Sequence, residues 1–257
     1  MDNKYNELYD EGFYEEQAAG MSSSAEVVLD LVYLFTASIT RNQLLTAGCG
    51  RGAWLNAAES FGATILKGFD GSWIKKEDLF SKKIDFVPVN FSDSLPEVNE
   101  KYDLCISVEV AEHLPESKAE SFIDLLCQSS DTILFGAAIN YQGGTNHINE
   151  QWQTYWIKLF KARDYECIDC IRGAIWNNAS VEWWYRQNTF LFIGPNNTSI
   201  QSSKLRGLEK PIFDVVHPAN YEGKARVCQK VINDPDLRFC AGLVKRWFIT
   251  KLRRIIG

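Results

Sequence analysis

Leu44-Leu45-Thr46-Ala47-Gly48-Cys49-Gly50-Arg51-Gly52-Ala53-Trp54-Leu55 is the stretch that decides the fold. A short, mostly apolar run enters three glycines at alternate positions and leaves into helix-forming residues. That is the pattern of a strand, a tight turn and a helix. Glycine lets the backbone take positive φ and lets a ligand come close to the chain. In an open parallel sheet such a turn lies beyond the carboxyl ends of the strands, where ligands bind. Asp70 stands 22 residues after Gly48, at the end of the next apolar run. A carboxylate there can accept hydrogen bonds from both hydroxyls of a ribose. Through Ala53 the loop also satisfies G-x-G-x-x-A, so the residues alone leave a nicotinamide cofactor open.

Working outward, apolar runs over 43–47, 64–69, 85–89, 102–108, 132–138, 165–171 and 189–193 predict seven strands. Segments of helical periodicity over 25–37, 53–61, 117–129 and 150–163 alternate with them, and Ser24 is placed to cap the first. The fold class implied is α/β, a seven-stranded mostly parallel sheet with helices on both faces. No helix is expected between the last two strands, so they read as an antiparallel edge pair. The chain divides into an N-terminal lid segment (1–24), the main domain (25–195), an irregular connector (196–233) and a C-terminal helical extension, a basic amphipathic helix (234–257) opened by Asp234-Pro235.

The totals agree with one large domain and its appendages: 257 residues, 46% hydrophobic and 23% charged. A net charge of −6 does not favour nucleic acid as a partner. The charge is uneven, because Leu237 to Gly257 holds six basic residues and no acidic one. The acidic, aromatic stretch Met1 to Glu16 does not read as a secretory signal, and no apolar run reaches the ~18 residues of a membrane span. Seven scattered cysteines read as free thiols of a cytoplasmic protein. The C-x-x-C spacing of Cys167 and Cys170 lies in a strand-like run and lacks the further ligands of a zinc site.

Four segments together resemble the class I S-adenosylmethionine-dependent methyltransferases. "LLTAGCGRGAWL" resembles their first motif, "GFDGS" the second, "VPVNFSD" the third and "YDLCISVEVAEHLPE" the fourth-strand motif, the most specific of them. The resemblance spans Ser22 to Ile193 and favours S-adenosylmethionine over a nicotinamide cofactor. It implies that Gly48, Gly50 and Gly52 line the methionine and ribose and that Asp70 holds the ribose hydroxyls. It also implies that Asn90 and Phe91 flank the adenine and that Glu109 sits near the methionine end. Two positions depart from the pattern: Thr46 and Asn90 each stand where an Asp is usual. Thr46 removes an acceptor for the methionine ammonium, which keeps a non-catalytic cofactor-binding module in view. The amide oxygen of Asn90 still accepts from the exocyclic amine.

Glu109, Glu112 and His113 follow the fourth strand, and His147 falls in the loop after the fifth. Both loops open on one edge of such a sheet. His113 or His147 can serve as a general base toward an acceptor hydroxyl. Alternatively, Glu109, Glu112, His113 and His147 can hold a divalent metal such as magnesium. E-x-x-E-H resembles the metal segment of ubiquinone-pathway O-methyltransferases and, with a later His, small-RNA 2′-O-methyltransferases. A third reading gives these residues only cofactor-pocket and helix-capping roles. His217 reads as surface. The insert "RGAIWNNASVEWWYRQN" has the Trp, Arg and Asn mixture of a sugar or planar-ligand pocket. The expected acceptor is a small-molecule or glycan hydroxyl. The basic tail fits either a membrane surface or its own domain or a sister subunit in a homo-oligomer.

Overall fold

A computed structural model describes residues 11–36, 41–197, 214–233, 240–242 and 244–249. It comprises two compact units, Met1–Val215 and Val216–Gly257.

In the first unit the chain runs α1 (Glu11–Phe35), β1 (Gln43–Ala47), α2 (Ala53–Ser60), β2 (Ile65–Asp70), β3 (Ile84–Pro88), β4 (Leu104–Val108), α3 (Ala119–Ser129) and β5 (Thr132–Gly136). It continues through α4 (Gln153–Lys161), β6 (Glu166–Ile168), α5 (Ile171–Ile175), α6 (Trp183–Asn188) and β7 (Phe190–Ile193). The seven strands form one sheet in the order β3-β2-β1-β4-β5-β7-β6. Strands β1 to β5 pair in parallel; β7 pairs antiparallel with both β5 and β6. The carboxyl ends of β1, β2, β4 and β5 therefore share one edge.

Side chains alternate between two cores, one on each face. Leu44, Leu104, Ile106, Leu134 and Leu191 face the helices α1 and α2, with Val28, Leu29, Val32 and Leu55. Leu45, Cys105, Ile133, Phe135 and Phe192 face the other way, toward Phe122 and Leu126 of α3 and Trp156 and Phe160 of α4. Burial on both faces is why the inner strands read as continuous apolar runs.

Three local expectations fail. Helix α1 begins at Glu11, so Ser24 lies inside it; its hydroxyl donates to the Gly20 carbonyl (2.6 Å) and accepts from the Glu182 amide (2.9 Å). A serine that can bond back one turn is accommodated within a helix. The connection between β6 and β7 contains the short helices α5 and α6. Strand β6 stops early because the Asp169 carboxylate takes a two-point bond from the buried Arg172 guanidinium, which also stacks 4.1 Å from the Phe190 ring.

In the second unit, part of the stretch expected to be irregular forms α7 (Pro218–Asn233). Proline fits the first turn, where the missing N–H costs nothing. His217, expected at the surface, is buried, and its Nδ1 accepts the Ala219 amide (3.2 Å) at the start of this helix. Residues 240–242 and 244–249 are helical, whereas Asp234-Pro235 and 250–257 lie outside the described residues. So do Tyr5, Tyr9 and the connector residues 198–213. No described helix is long and apolar enough to cross a membrane.

Candidate active site

The glycine loop is organised from both neighbouring strands. The amides of Gly48 and Cys49 donate to the Phe69 carbonyl (2.8 and 3.0 Å). Asp70, at the end of β2, accepts the Gly50 amide at Oδ2 (2.6 Å) and the Gly71 amide at Oδ1 (2.7 Å). Gly48 has φ +81°, and a Cβ there would lie 2.2 Å from Val110 Cγ2, so only glycine fits. Gly52 has φ +86° and abuts the Ile84 side chain. Burial raises the Asp70 pKa to about 6, and the two amides pull it back. Each carboxylate oxygen keeps a lone pair for a further donor.

Above this edge lies a cavity of about 390 Å³. Gly48, Gly50, Asp70, Asn90, Phe91, Glu109, His113 and His147 all line it. Gly52 and Glu112 do not: Gly52 turns the chain into α2, and Glu112 is fully buried beneath the wall. Phe91 packs edge-on against Phe122 of α3 at 5.3 Å. Asn90 is committed locally, its Oδ1 accepting the Ser92 amide (3.1 Å) and its Nδ2 donating to Asp93 (2.8 Å).

Glu109 follows β4 in the left-handed region, φ 57°. Such a conformation costs a side chain about 1–2 kcal/mol and persists only where contacts enforce it. Here the enforcing groups are amides. Asn188 Nδ2 donates to one carboxylate oxygen (3.1 Å) and Gln142 Nε2 to the other (3.3 Å). Gln142 in turn accepts from Gln187, Asn188 and the Ile139 amide. Burial lifts the Glu109 pKa to about 7, with the Asn188 and Gln142 bonds opposing.

Glu112 and His113 lie on a single 3-10 turn, Ala111–His113. The loop after β5 is fastened to it: the Ile148 and Asn149 amides both donate to the Glu112 carbonyl (2.9 and 3.0 Å). This brings the His113 and His147 rings to 4.8 Å, nearly perpendicular. Gly144 leaves room for His147, since a Cβ there would lie 2.3 Å from its Nε2. His113 Nδ1 faces the Asn146 carbonyl (3.3 Å) and His147 Nδ1 faces Glu150 Oε1 (3.0 Å). Both oxygens are acceptors, so each imidazole in its neutral form carries its proton on Nδ1 and its lone pair on Nε2. Burial and the neighbouring His147 lower the His113 pKa to about 4, leaving it neutral.

Glu112 is held well above the usual carboxylate range by burial and by the Glu109 carboxylate. Neither of its oxygens makes a well-formed hydrogen bond, although the Glu109 carboxyl and the Glu112 and Ala138 amides lie near them. Donor atoms of Glu112, His113 and His147 all lie within 4.8 Å of one another. Glu109 falls outside that set, and its oxygens accept from Asn188 and Gln142. The expected four-residue cluster is thus three plus one.

The rest of the wall is aromatic. Trp183, Trp184 and Tyr185 of the insert reach the cavity, and Trp176 does not. Met21 of α1 and Trp73 after β2 also line it. Helix α1 lies against the insert: Ser23 Oγ donates to the Ser180 carbonyl (2.8 Å), and a Cβ on Gly20 would meet Glu182 Oε1 at 2.1 Å. Met21 falls in the expected lid segment and Gln187 in the expected ligand-pocket insert; sequence reasoning missed Trp73 and Gln142, neither of which lies in a recognisable motif.

No protein-family model and no curated protein sequence matches the chain. Among solved structures, it is similar to the plantazolicin methyltransferase BpumL in complex with a monoazolic desmethylPZN analog and SAH. That match has a TM-score of 0.53 at 17% identity and covers 75% of this chain and 91% of that one. It is also similar to the magnesium protoporphyrin IX methyltransferase ChlM of Synechocystis PCC 6803 with bound SAH (TM-score 0.51, 14% identity, 75% and 93% covered). At these identities the likeness establishes the fold. The chain has the class I methyltransferase fold, as its glycine loop and fourth-strand segment led one to expect.

Proposed function

We propose that the protein is an S-adenosylmethionine-dependent methyltransferase that O-methylates a small-molecule or glycan hydroxyl. One observation carries this reading: a single cavity joins Gly48, Gly50 and Asp70 over β1 and β2 to His113 and His147 over β4 and β5. The relatives with this fold named above both hold SAH. Asp70 takes the ribose hydroxyls, Phe91 and the Asn90 backbone flank the adenine, and Glu109 faces the methionine ammonium. The acceptor oxygen attacks the sulfonium methyl, the C–S bond breaks, and SAH leaves. Proximity and alignment supply most of the rate. His147 Nε2 takes the hydroxyl proton, and Glu150 at its Nδ1 steadies the imidazolium that results, as a carboxylate does for a catalytic histidine.

Glu112 favours a second reading of the same end of the cavity. A fully buried carboxyl group with no well-formed hydrogen bond, beside two imidazoles whose Nδ1 atoms face oxygens, matches the donor set and outer shell of a metal site. Two imidazoles and one carboxylate suit a borderline ion such as Mn²⁺, Co²⁺ or Zn²⁺ better than magnesium. Such an ion would lower the pKa of an acceptor hydroxyl.

Calorimetric titration with SAH and NADH, followed by transfer of labelled methyl from S-adenosylmethionine to a cell extract, tests the function. NADH binding without SAH binding would make the protein an oxidoreductase. SAH binding with no labelled product would make it a non-catalytic module. Activity that survives chelation would remove the metal and leave His147 as base.

A further inference from the structure

The two compact units carry opposite charge. Val216–Gly257 holds nine basic and three acidic residues, a net of +6, so Met1–Val215 carries −12 of a total of −6. The basic unit also leaves apolar side chains in solvent. Of the fourteen large hydrophobic residues exposed among the described residues, eight fall in these 42 residues. Val244, Trp247 and Phe248 are 54–56% exposed. At 100° per residue they share an arc of about 100°, with Lys245 and Arg246 beyond its edge. On α7, Val227 and Val231 lie one turn apart and are exposed as well.

We infer that Val216–Gly257 is a docking module for an anionic membrane surface, with Val244, Trp247 and Phe248 entering the headgroup boundary and Lys245 and Arg246 facing acidic lipid. Two features select a membrane over a protein partner. Amphipathic helices that lie in the interface pair an aromatic and aliphatic face with Lys and Arg on the polar face. Trp concentrates at the membrane–water boundary. No described helix can span, so attachment is peripheral and reversible. The acidic catalytic unit is repelled by the same lipid, so the basic unit alone makes the contact.

Flotation of the full-length protein with vesicles of phosphatidylcholine alone, or containing roughly 30% phosphatidylserine, tests this. The intact chain should float with anionic vesicles at low salt and not with neutral ones. Binding should be lost as salt shortens the screening length from about 10 Å at 0.1 M to a few ångströms. Lys245→Glu/Arg246→Glu and Trp247→Ser/Phe248→Ser should each lower the partition coefficient at least tenfold. SAH affinity and mass by light scattering should stay unchanged in both variants. Absence of flotation with anionic vesicles at low salt would overturn the proposal. So would an intact chain that is a dimer in solution and becomes monomeric with Trp247→Ser/Phe248→Ser, which would assign the face to a second copy.

Discussion

Replacing Asp70 by Asn changes one atom and separates two roles of the residue. Its two oxygens each accept a loop amide, Gly50 and Gly71, at 2.6 and 2.7 Å. In the variant one oxygen becomes an NH₂ group, which must face one of those N–H donors. One charge-assisted bond in the loop is lost, and so is one acceptor for a ribose hydroxyl. At about 1.5 kcal/mol for each, the low end for bonds to a charged group, the loop bond comes off stability because it is made with or without ligand, and the ribose acceptor comes off binding, about tenfold in Kd. The pH dependence follows from the pKa of about 6. Because burial raises this acid, the folded chain holds its proton more tightly than the unfolded chain. For this group, apo stability rises as pH falls through 6 toward the unfolded value near 4. Binding has the opposite slope: ribose needs the ionised carboxylate, so the Asp70 part of Kd should be flat above pH 7 and rise about tenfold per unit below 6, beside a separate change near 7 from Glu109 that Asp70→Asn leaves in place. Calorimetric titration of SAH into wild type and Asp70→Asn between pH 5 and 8 measures both, and using SAH keeps the sulfonium charge out of the comparison. An Asn variant that folds normally and binds SAH within threefold of wild type would refute the assignment. So would an inflection near pH 6 that survives the substitution.

Other outcomes follow from the same geometry. Gly48→Ala places a Cβ against Val110 at positive φ and should cost about 2–4 kcal/mol by denaturant unfolding and abolish SAH binding. His147→Ala should remove at least ~100-fold of the methyl-transfer rate with SAH affinity intact, whereas Glu150→Gln should lower kcat less and leave KM for S-adenosylmethionine unchanged. Glu112→Gln swaps a buried acid for a neutral shape-mimic; its Tm without metal should match or exceed wild type, while any Tm rise produced by Mn²⁺ or Co²⁺ should disappear. Thr46→Asp, which introduces the residue usual in the methyltransferases the sequence resembles, should lower stability by several kcal/mol without tightening SAH binding, read by thermal unfolding and calorimetry.

The sheet was legible because its signals are long-range regularities. Seven apolar runs, three glycines at one strand end and an acid at the next strand end admit few topologies. What escaped was short or depended on contacts far along the chain. Helices α5 and α6 have five and six residues, too few to establish a 3.6-residue period. Ser24 carries a cap's chemistry in a position where Gly20 and Glu182 supply its partners instead. Within the site, E-x-x-E-H puts three polar groups at one strand end, but does not give their directions. The left-handed turn at Glu109 sends that carboxylate to Asn188 and Gln142, and the following 3-10 turn sends Glu112 and His113 toward His147. Asn188 lies 79 residues from Glu109, a pairing that no local pattern announces.

That separation also accounts for Thr46. Its side chain points into the sheet interior: the residue pairs with Gly68 on one side and Ile106 on the other, is 1% exposed, and has a hydroxyl without a partner. It does not line the cavity, so a carboxylate at this position would be buried before it could reach a ligand. Among the described residues lining the cavity, the carboxylates are Asp70 and Glu109. On the proposed reading Asp70, at the end of β2, takes the ribose. Glu109 is the one left to meet an ammonium, beside Gly48, whose Cα face is covered by Val110, the next residue along. The backbone cost of its positive φ and the two amides spent on its carboxylate are both understandable if this acid serves the methionine end from β4 in place of one on β1. The departure at Thr46, which by sequence looks like a lost contact, then leaves the site with a second carboxyl group supplied one strand over, one that burial keeps partly protonated near neutrality until a cation pairs with it.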